Sequence, residues 1–199
     1  MKSVSVLGST GSIGLSTLDV LRLNKASYSL FALTANRNIE RLVEQCIEFK
    51  PRYAVVPDAE LADVFRRHIS ESDAADTEVL SGMESLEFVA KHADVDIVVA
   101  AIVGAAGLLS TLAAAEAGKK LLLANKEALV ISGDLLMSAV KRNNATLLPL
   151  DSEHNALFQC MPAGYRSGQA AIGIRKLILT ASGGPFLNLA KSELNHVSV

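Results

Sequence analysis

Cysteine is scarce in this sequence, and tryptophan is missing altogether. The two cysteines, Cys46 and Cys160, stand far apart and match no metal-ligand spacing. They read as reduced thiols of an intracellular protein. No long run of basic residues occurs and the formal net charge is −2, so nothing indicates a nucleic-acid or anionic-membrane partner. Met1-Lys2-Ser3-Val4 enters an apolar stretch directly, without the charged region and long apolar core of a secretory signal. The uncharged stretch from Ile97 to Ala115 is split by Gly104 and Gly107, begins with β-branched residues and then turns alanine-rich. A buried strand, a tight turn and a helix explain it better than a membrane span. There is no internal repeat and no low-complexity tract.

What remains is a globular composition leaning towards buried sheet: half of the 199 residues are apolar and a fifth are charged. That length suffices for one large domain, or for one domain and part of another. The first 150 residues alternate short apolar runs with longer amphipathic stretches. Strands are expected at Ser3–Leu7, Tyr28–Leu33, Tyr53–Val56, Thr77–Leu80, Val95–Ala100, Lys120–Leu123 and Thr146–Leu150. Helices are expected at Ser12–Leu23, Ile39–Phe49, Ala59–Ile69, Met83–His92, Leu108–Ala117 and Glu127–Lys141. Most of these strands are apolar throughout rather than alternating, as helices on both faces require. The pattern predicts an α/β fold: a Rossmann-like, doubly wound parallel sheet over residues 1–150, followed by the start of a second, α+β domain over 151–199. In that second region a short helix is expected from Ser152 to Cys160, a glycine-rich loop from Pro162 to Gly173 and a strand at Arg175–Ala181.

Gly8-Ser9-Thr10-Gly11-Ser12-Ile13-Gly14 lies between a β-rich run and a helix-forming run. Its G-x-x-G-x-x-G spacing is a variant of the dinucleotide fingerprint, in which glycines make the turn tight and bring backbone close to the pyrophosphate. It lacks the Gly-Lys-Ser/Thr ending of a P-loop. A strand–helix turn that merely needs glycine is the bland alternative. After the second strand, Asn36-Arg37-Asn38 offers a guanidinium between two amides and no acid precedes Glu40, which favours NADP over NAD. Asn125-Lys126-Glu127 follows a strand, where open α/β sheets place ligands; it reads equally well as a ligand contact or as a capped helix start. Asp151-Ser152-Glu153 has two carboxylates flanking a hydroxyl. The pair suits a hard divalent cation, or else caps the next helix. Ser182-Gly183-Gly184-Pro185 fits a plain turn or a phosphate nest.

Together these motifs resemble the 1-deoxy-D-xylulose 5-phosphate reductoisomerase family. The resemblance rests on Gly8 to Gly14, Ala101-Ile102-Val103-Gly104-Ala105-Ala106-Gly107-Leu108, Leu123 to Glu127, Asp151 to Ala156 and Ser182 to Phe186, in that order. It implies an NADPH- and Mn²⁺- or Mg²⁺-dependent enzyme that converts 1-deoxy-D-xylulose 5-phosphate to 2-C-methyl-D-erythritol 4-phosphate in the non-mevalonate isoprenoid pathway. In that reading Gly8, Thr10, Gly11, Ser12 and Ile13 hold the pyrophosphate, Asn36, Arg37 and Asn38 face the 2′-phosphate, and Asn125 and Glu127 complete the cofactor site. Lys126 contacts the substrate, Asp151 and Glu153 ligate the metal, and Ser152, Glu153 and Ser182 bind substrate. Lys126, Asp151 and Glu153 are thus the catalytic candidates. Where family members often carry Gly-Lys-Asn, this sequence has Asn36-Arg37-Asn38, which keeps the charge.

The resemblance further implies a sugar-phosphate partner, a homodimer at full length, and a bacterial cytoplasmic or processed plastid location. Family members continue through a tryptophan-bearing lid, a third carboxylate ligand and a helical domain. The expectation is therefore a truncated form with an incomplete metal centre. Two alternatives stand beside it: an NADPH-binding fragment without activity, and a different NADP-dependent dehydrogenase that needs no metal.

Overall fold

The computed structural model describes residues 1–165, 173–180 and 184–197. Seven strands run through it: β1 (Lys2–Leu7), β2 (Tyr28–Thr34), β3 (Tyr53–Val55), β4 (Glu78–Leu80), β5 (Ile97–Ala100), β6 (Lys120–Leu123) and β7 (Thr146–Pro149). They form one sheet in the order β4-β3-β2-β1-β5-β6-β7, and every neighbouring pair is parallel. The chain winds outward from β1 in one direction and, after returning to β5, outward in the other. This is the doubly wound arrangement expected, and the reversal falls between β1 and β5, where such sheets open a crevice at the carboxyl ends of the strands.

The connecting helices are α1 (Ser12–Leu23), α2 (Ile39–Phe49), α3 (Ala59–Ser70), α4 (Met83–Lys91), α5 (Leu108–Glu116) and α6 (Glu127–Arg142); α7 (Ser152–Gln159) follows β7. Side chains alternate across β1, so Val4 and Val6 face one layer and Leu7 the other. Leu18 and Leu21 of α1, Leu42 and Cys46 of α2 and Phe65 of α3 pack on the first face. Leu86 and Val89 of α4, Ala114 of α5, and Leu136 and Ala139 of α6 pack on the second. Ser5, fully buried among apolar side chains, donates its hydroxyl to the Val89 carbonyl at 2.7 Å, which satisfies the one polar group that β1 turns towards α4.

Helix α6 is broken. Ser132 sits at φ −145°, ψ 37°, and its hydroxyl reaches back to the Ala128 carbonyl at 3.0 Å. Before the break only Ala128 is buried, whereas Val130 and Ile131 are exposed; after it Leu136, Ala139 and Val140 enter the core. Among the described residues no helix is long and apolar enough to cross a membrane.

One expectation fails. The strand at Arg175–Ala181 does not form over its described part, residues 175–180, and Leu177, Ile178 and Leu179 are exposed. An apolar run makes a strand only where a neighbour completes its backbone hydrogen bonds, and none is offered here by the described residues.

Candidate active site at the carboxyl ends of the strands

The ends of β1, β2, β5, β6 and β7 are in register, because the ladder continues past each of them. Ala101 N–H donates to Leu7 O at 2.9 Å, Ala124 N–H to Ala100 O at 3.0 Å and Leu150 N–H to Leu123 O at 2.8 Å. Every described motif singled out up to Glu153 therefore emerges on one rim of the sheet.

At β1, Gly8 turns the chain with φ +84°, and a Cβ there would lie 2.8 Å from the Ala101 carbonyl oxygen of the β5 loop. Only glycine satisfies both demands. The Gly8 N–H donates to Thr34 Oγ1 at 2.8 Å and the Ser9 N–H to Thr34 O at 2.9 Å, which hangs the turn from the end of β2. Gly11 then stands at the N-cap of α1. No side chain of the described residues caps this end and its first turn carries no acid, so the positive end of the helix dipole is left to face an anion. Thr10 and Ile13 are half-buried, while Gly11 and Ser12 are exposed.

At β2, Asn36, Arg37 and Asn38 are exposed. Asn38 also has a local task, accepting the Arg41 N–H at 3.1 Å as the N-cap of α2. Beyond β6, Asn125 is buried, and its amide nitrogen donates to Ile102 O and, at 2.8 Å, to Gly104 O. Its amide oxygen accepts the Glu127 N–H at 2.9 Å. Asn125 thus ties the β5 loop to the start of α6: the capping reading is met, and the rest of the amide is engaged by the β5 loop. Lys126, the N-cap of α6, is exposed beside it, and Glu127 is half-buried.

Past β7, Asp151 is the N-cap of α7 but caps nothing with its side chain. Instead its Oδ2 pairs with His154 Nδ1 at 2.6 Å. Asn155 steadies the turn by donating to the Pro149 carbonyl at 2.8 Å. Ser152 and Glu153 open the helix and are exposed. Two carboxylates supply hard oxygen donors, a chemistry that fits Mg²⁺ or Mn²⁺. Among the described residues no group of three or more His, Cys, Asp or Glu side chains converges. Ser182 lies outside the described residues.

Three residues at this rim escaped the sequence reading: Ser9, Thr34 and Gln45. Ser9 is fully buried, its hydroxyl donates to Gln45 Oε1 at 2.7 Å, and Gln45 Nε2 donates to the Ser9 carbonyl at 3.0 Å. The available signal was Gln45 itself, an amide at a position of α2 where the helical period of Ile39, Leu42 and Cys46 calls for a buried side chain.

Comparison with known proteins agrees with this geometry. Residues 4–133 match the family model described as 1-deoxy-D-xylulose 5-phosphate reductoisomerase, and residues 147–199 match that of its C-terminal domain. The reductoisomerase of Methylococcus capsulatus is 58% identical over 198 residues, which cover 100% of this chain and 50% of that protein. That of Acinetobacter baumannii is 52% identical over 201 residues, covering 99% and 50%. The chain therefore spans about half the length of the curated relatives it matches. Among solved structures, a DOX-P reductoisomerase in complex with NADPH, fosmidomycin and magnesium superposes with a TM-score of 0.86 at 45% identity, over 100% of this chain and 49% of that one. The Zymomonas mobilis enzyme in complex with NADPH gives 0.84 at 42% identity, over 99% and 50%.

Proposed function

We propose, from the premise that this chain belongs to the 1-deoxy-D-xylulose 5-phosphate reductoisomerase family, that it carries the NADPH site and part of the catalytic site of an enzyme converting 1-deoxy-D-xylulose 5-phosphate to 2-C-methyl-D-erythritol 4-phosphate. The observation that carries this reading is the gathering of the glycine turn, Arg37, Lys126, Asp151 and Glu153 on one rim of a doubly wound sheet, beside its β1/β5 reversal. Two similar solved structures contain NADPH, one of them with magnesium as well.

NADPH, when bound, would supply the hydride, and a divalent cation held by Asp151 and Glu153 would supply Lewis-acid polarisation. The protein's own part is binding and orientation. Backbone N–H groups of Thr10, Ser12 and Ile13, at the start of α1, receive the pyrophosphate, and Gly8 and Gly11 let it come close to the turn. Arg37, with Asn36 and Asn38 beside it, discriminates for the 2′-phosphate through charge-assisted hydrogen bonds. Asn125 and Glu127 complete the cofactor site, Asn125 by holding the β5 loop. Lys126 orients the substrate, Asp151 and Glu153 hold the cation, and Ser152, Glu153 and Ser182 contact substrate. We place the boundary between the cofactor-binding domain and the start of the catalytic domain near residue 150. The partner is a sugar phosphate, the native assembly a homodimer, and the location the bacterial cytoplasm, in keeping with the bacterial relatives.

The test is turnover of NADPH with 1-deoxy-D-xylulose 5-phosphate in the native protein, with and without chelation of divalent metal. Asp151→Asn and Glu153→Gln are expected to lower metal-dependent turnover by at least about a hundredfold while NADPH affinity stays within about twofold. Turnover that survives exhaustive chelation, or an equal loss of NADPH binding in both variants, overturns the assignment.

A further inference from the structure

The buried face of α2 contains one amide among apolar side chains. Gln45 is only 6% exposed, between Leu42 and Cys46 and their core contacts. A buried amide is costly unless its hydrogen bonds are made. Both of these go to a single residue, Ser9, which is itself fully buried. The orientation of the Gln45 amide is fixed by chemistry: a carbonyl oxygen only accepts, so the NH₂ must face Ser9 O and the amide oxygen must take the Ser9 hydroxyl.

The consequence lies one atom further along. Ser9 O and Thr10 N–H belong to one peptide unit, planar and trans, so they point in opposite directions. With the carbonyl held towards α2, the Thr10 N–H is turned away from it, and this N–H finds no acceptor among the described residues. Thr34 clamps the other side, receiving the Gly8 and Ser9 N–H groups. The peptide that presents the Thr10 N–H is therefore held by hydrogen bonds from β2 and α2.

We propose that Gln45 is a positioning residue of the cofactor turn: by holding the Ser9 carbonyl it aims the Thr10 N–H at the pyrophosphate of NADPH. This rests on the NADPH reading of the site. Gln45→Met removes both bonds at similar volume. Gln45→Leu also removes both bonds, with a branched side chain in place of a flexible one.

The experiment measures NADPH binding and steady-state kinetics in the native protein, with folding monitored by circular dichroism. Both variants are expected to raise the NADPH Kd and KM by about tenfold, the worth of about one net buried hydrogen bond. kcat at saturating NADPH and the KM for the sugar phosphate stay within about twofold, a split that a merely structural defect does not produce, since partial unfolding lowers kcat and leaves KM alone. If Gln45→Met does not fold, Gln45→Leu decides in its place. A folded variant with wild-type NADPH affinity, or a loss confined to kcat, overturns the proposal while leaving the cofactor site intact. A wild-type protein that fails to bind NADPH overturns both.

Discussion

Replacing Gly14 by alanine puts a methyl group where the backbone of the preceding turn already sits. A Cβ on Gly14 would lie 2.4 Å from the Gly8 carbonyl oxygen and 2.5 Å from both Cα and the carbonyl carbon of Ser9. Ordinary carbon contacts begin near 3.5 Å, so α1 and the turn must part by roughly an ångström. No rotamer relieves this, because every atom met is backbone. The turn is tied to Thr34 and Gln45, and α1 is tied to the core through Leu18 and Leu21, so neither side yields freely. Overpacking of this kind costs about 1–3 kcal/mol. In a chain of this length each kcal/mol lowers Tm by about 2–4 °C, so Gly14→Ala should melt about 2–12 °C below wild type. Gly11→Ala is the control. Its Cβ would meet only the Gly8 carbonyl oxygen, at 3.5 Å, an ordinary contact. It should cost less than about 1 kcal/mol, an N-cap effect, while weakening NADPH by crowding the pyrophosphate. Thermal melts of the two variants and of wild type decide the matter. If Gly14→Ala melts with wild type, or Gly11→Ala falls as far as Gly14→Ala, the close approach of α1 to the turn is wrong.

Two further outcomes are expected. Burial pushes the Cys46 thiol up to about 12, whereas Cys160 is exposed, so iodoacetamide at neutral pH should label Cys160 alone, with Cys46 reacting only after unfolding; peptide mapping that finds Cys46 modified in the folded protein counts against its packing in the core. Asp96 has its carboxyl held below the usual range by the Ser3 N–H and by Lys2, so the stability it contributes is present above its unfolded pKa and lost as acid protonates it in the fold. Asp96→Asn should accordingly flatten the acid limb of the stability curve below about pH 4, by less than about 1 kcal/mol because the pair is solvent-screened; an unchanged limb removes Asp96 from the account.

The two periodicities of the chain were strong enough to place every helix from α1 to α7 and every strand from β1 to β7 within a few residues, because buried parallel strands and amphipathic helices leave different spacings. Carboxyl-end loops inherit their position from those elements, which is why Gly8, Arg37, Lys126 and Asp151 fall on one rim. Failures came where the deciding partner is distant in sequence. Residues 175–180 have strand-forming side chains but no described neighbour to pair with. The break at Ser132 is the exception, since its marks, the Ser132-Gly133 pair and the bond back to Ala128, are local but lie outside what helical period reads. Ser9 received no role of its own within the glycine turn, and its role shows only once α2, thirty-six residues on, is folded against it. Asn125 stands between the two: its capping of the helix start was legible locally, whereas its hold on the β5 loop shows only in three dimensions.

The break in α6 bears on how any variant near Lys126 is to be judged. The arm from Glu127 to Ile131 puts only Ala128 fully into the core, with Leu129 partly buried against it, while Leu136, Ala139 and Val140 hold the helix beyond Ser132. Opening that arm therefore sacrifices less apolar contact than opening the segment beyond Ser132, and it lies below the cost of melting the sheet on the free-energy scale for local unfolding. A calorimeter follows the sheet and is blind to the arm. Amide exchange at residues 127–131, compared with residues 136–140, is the measurement that sees it: the first set should exchange freely while the second is still protected.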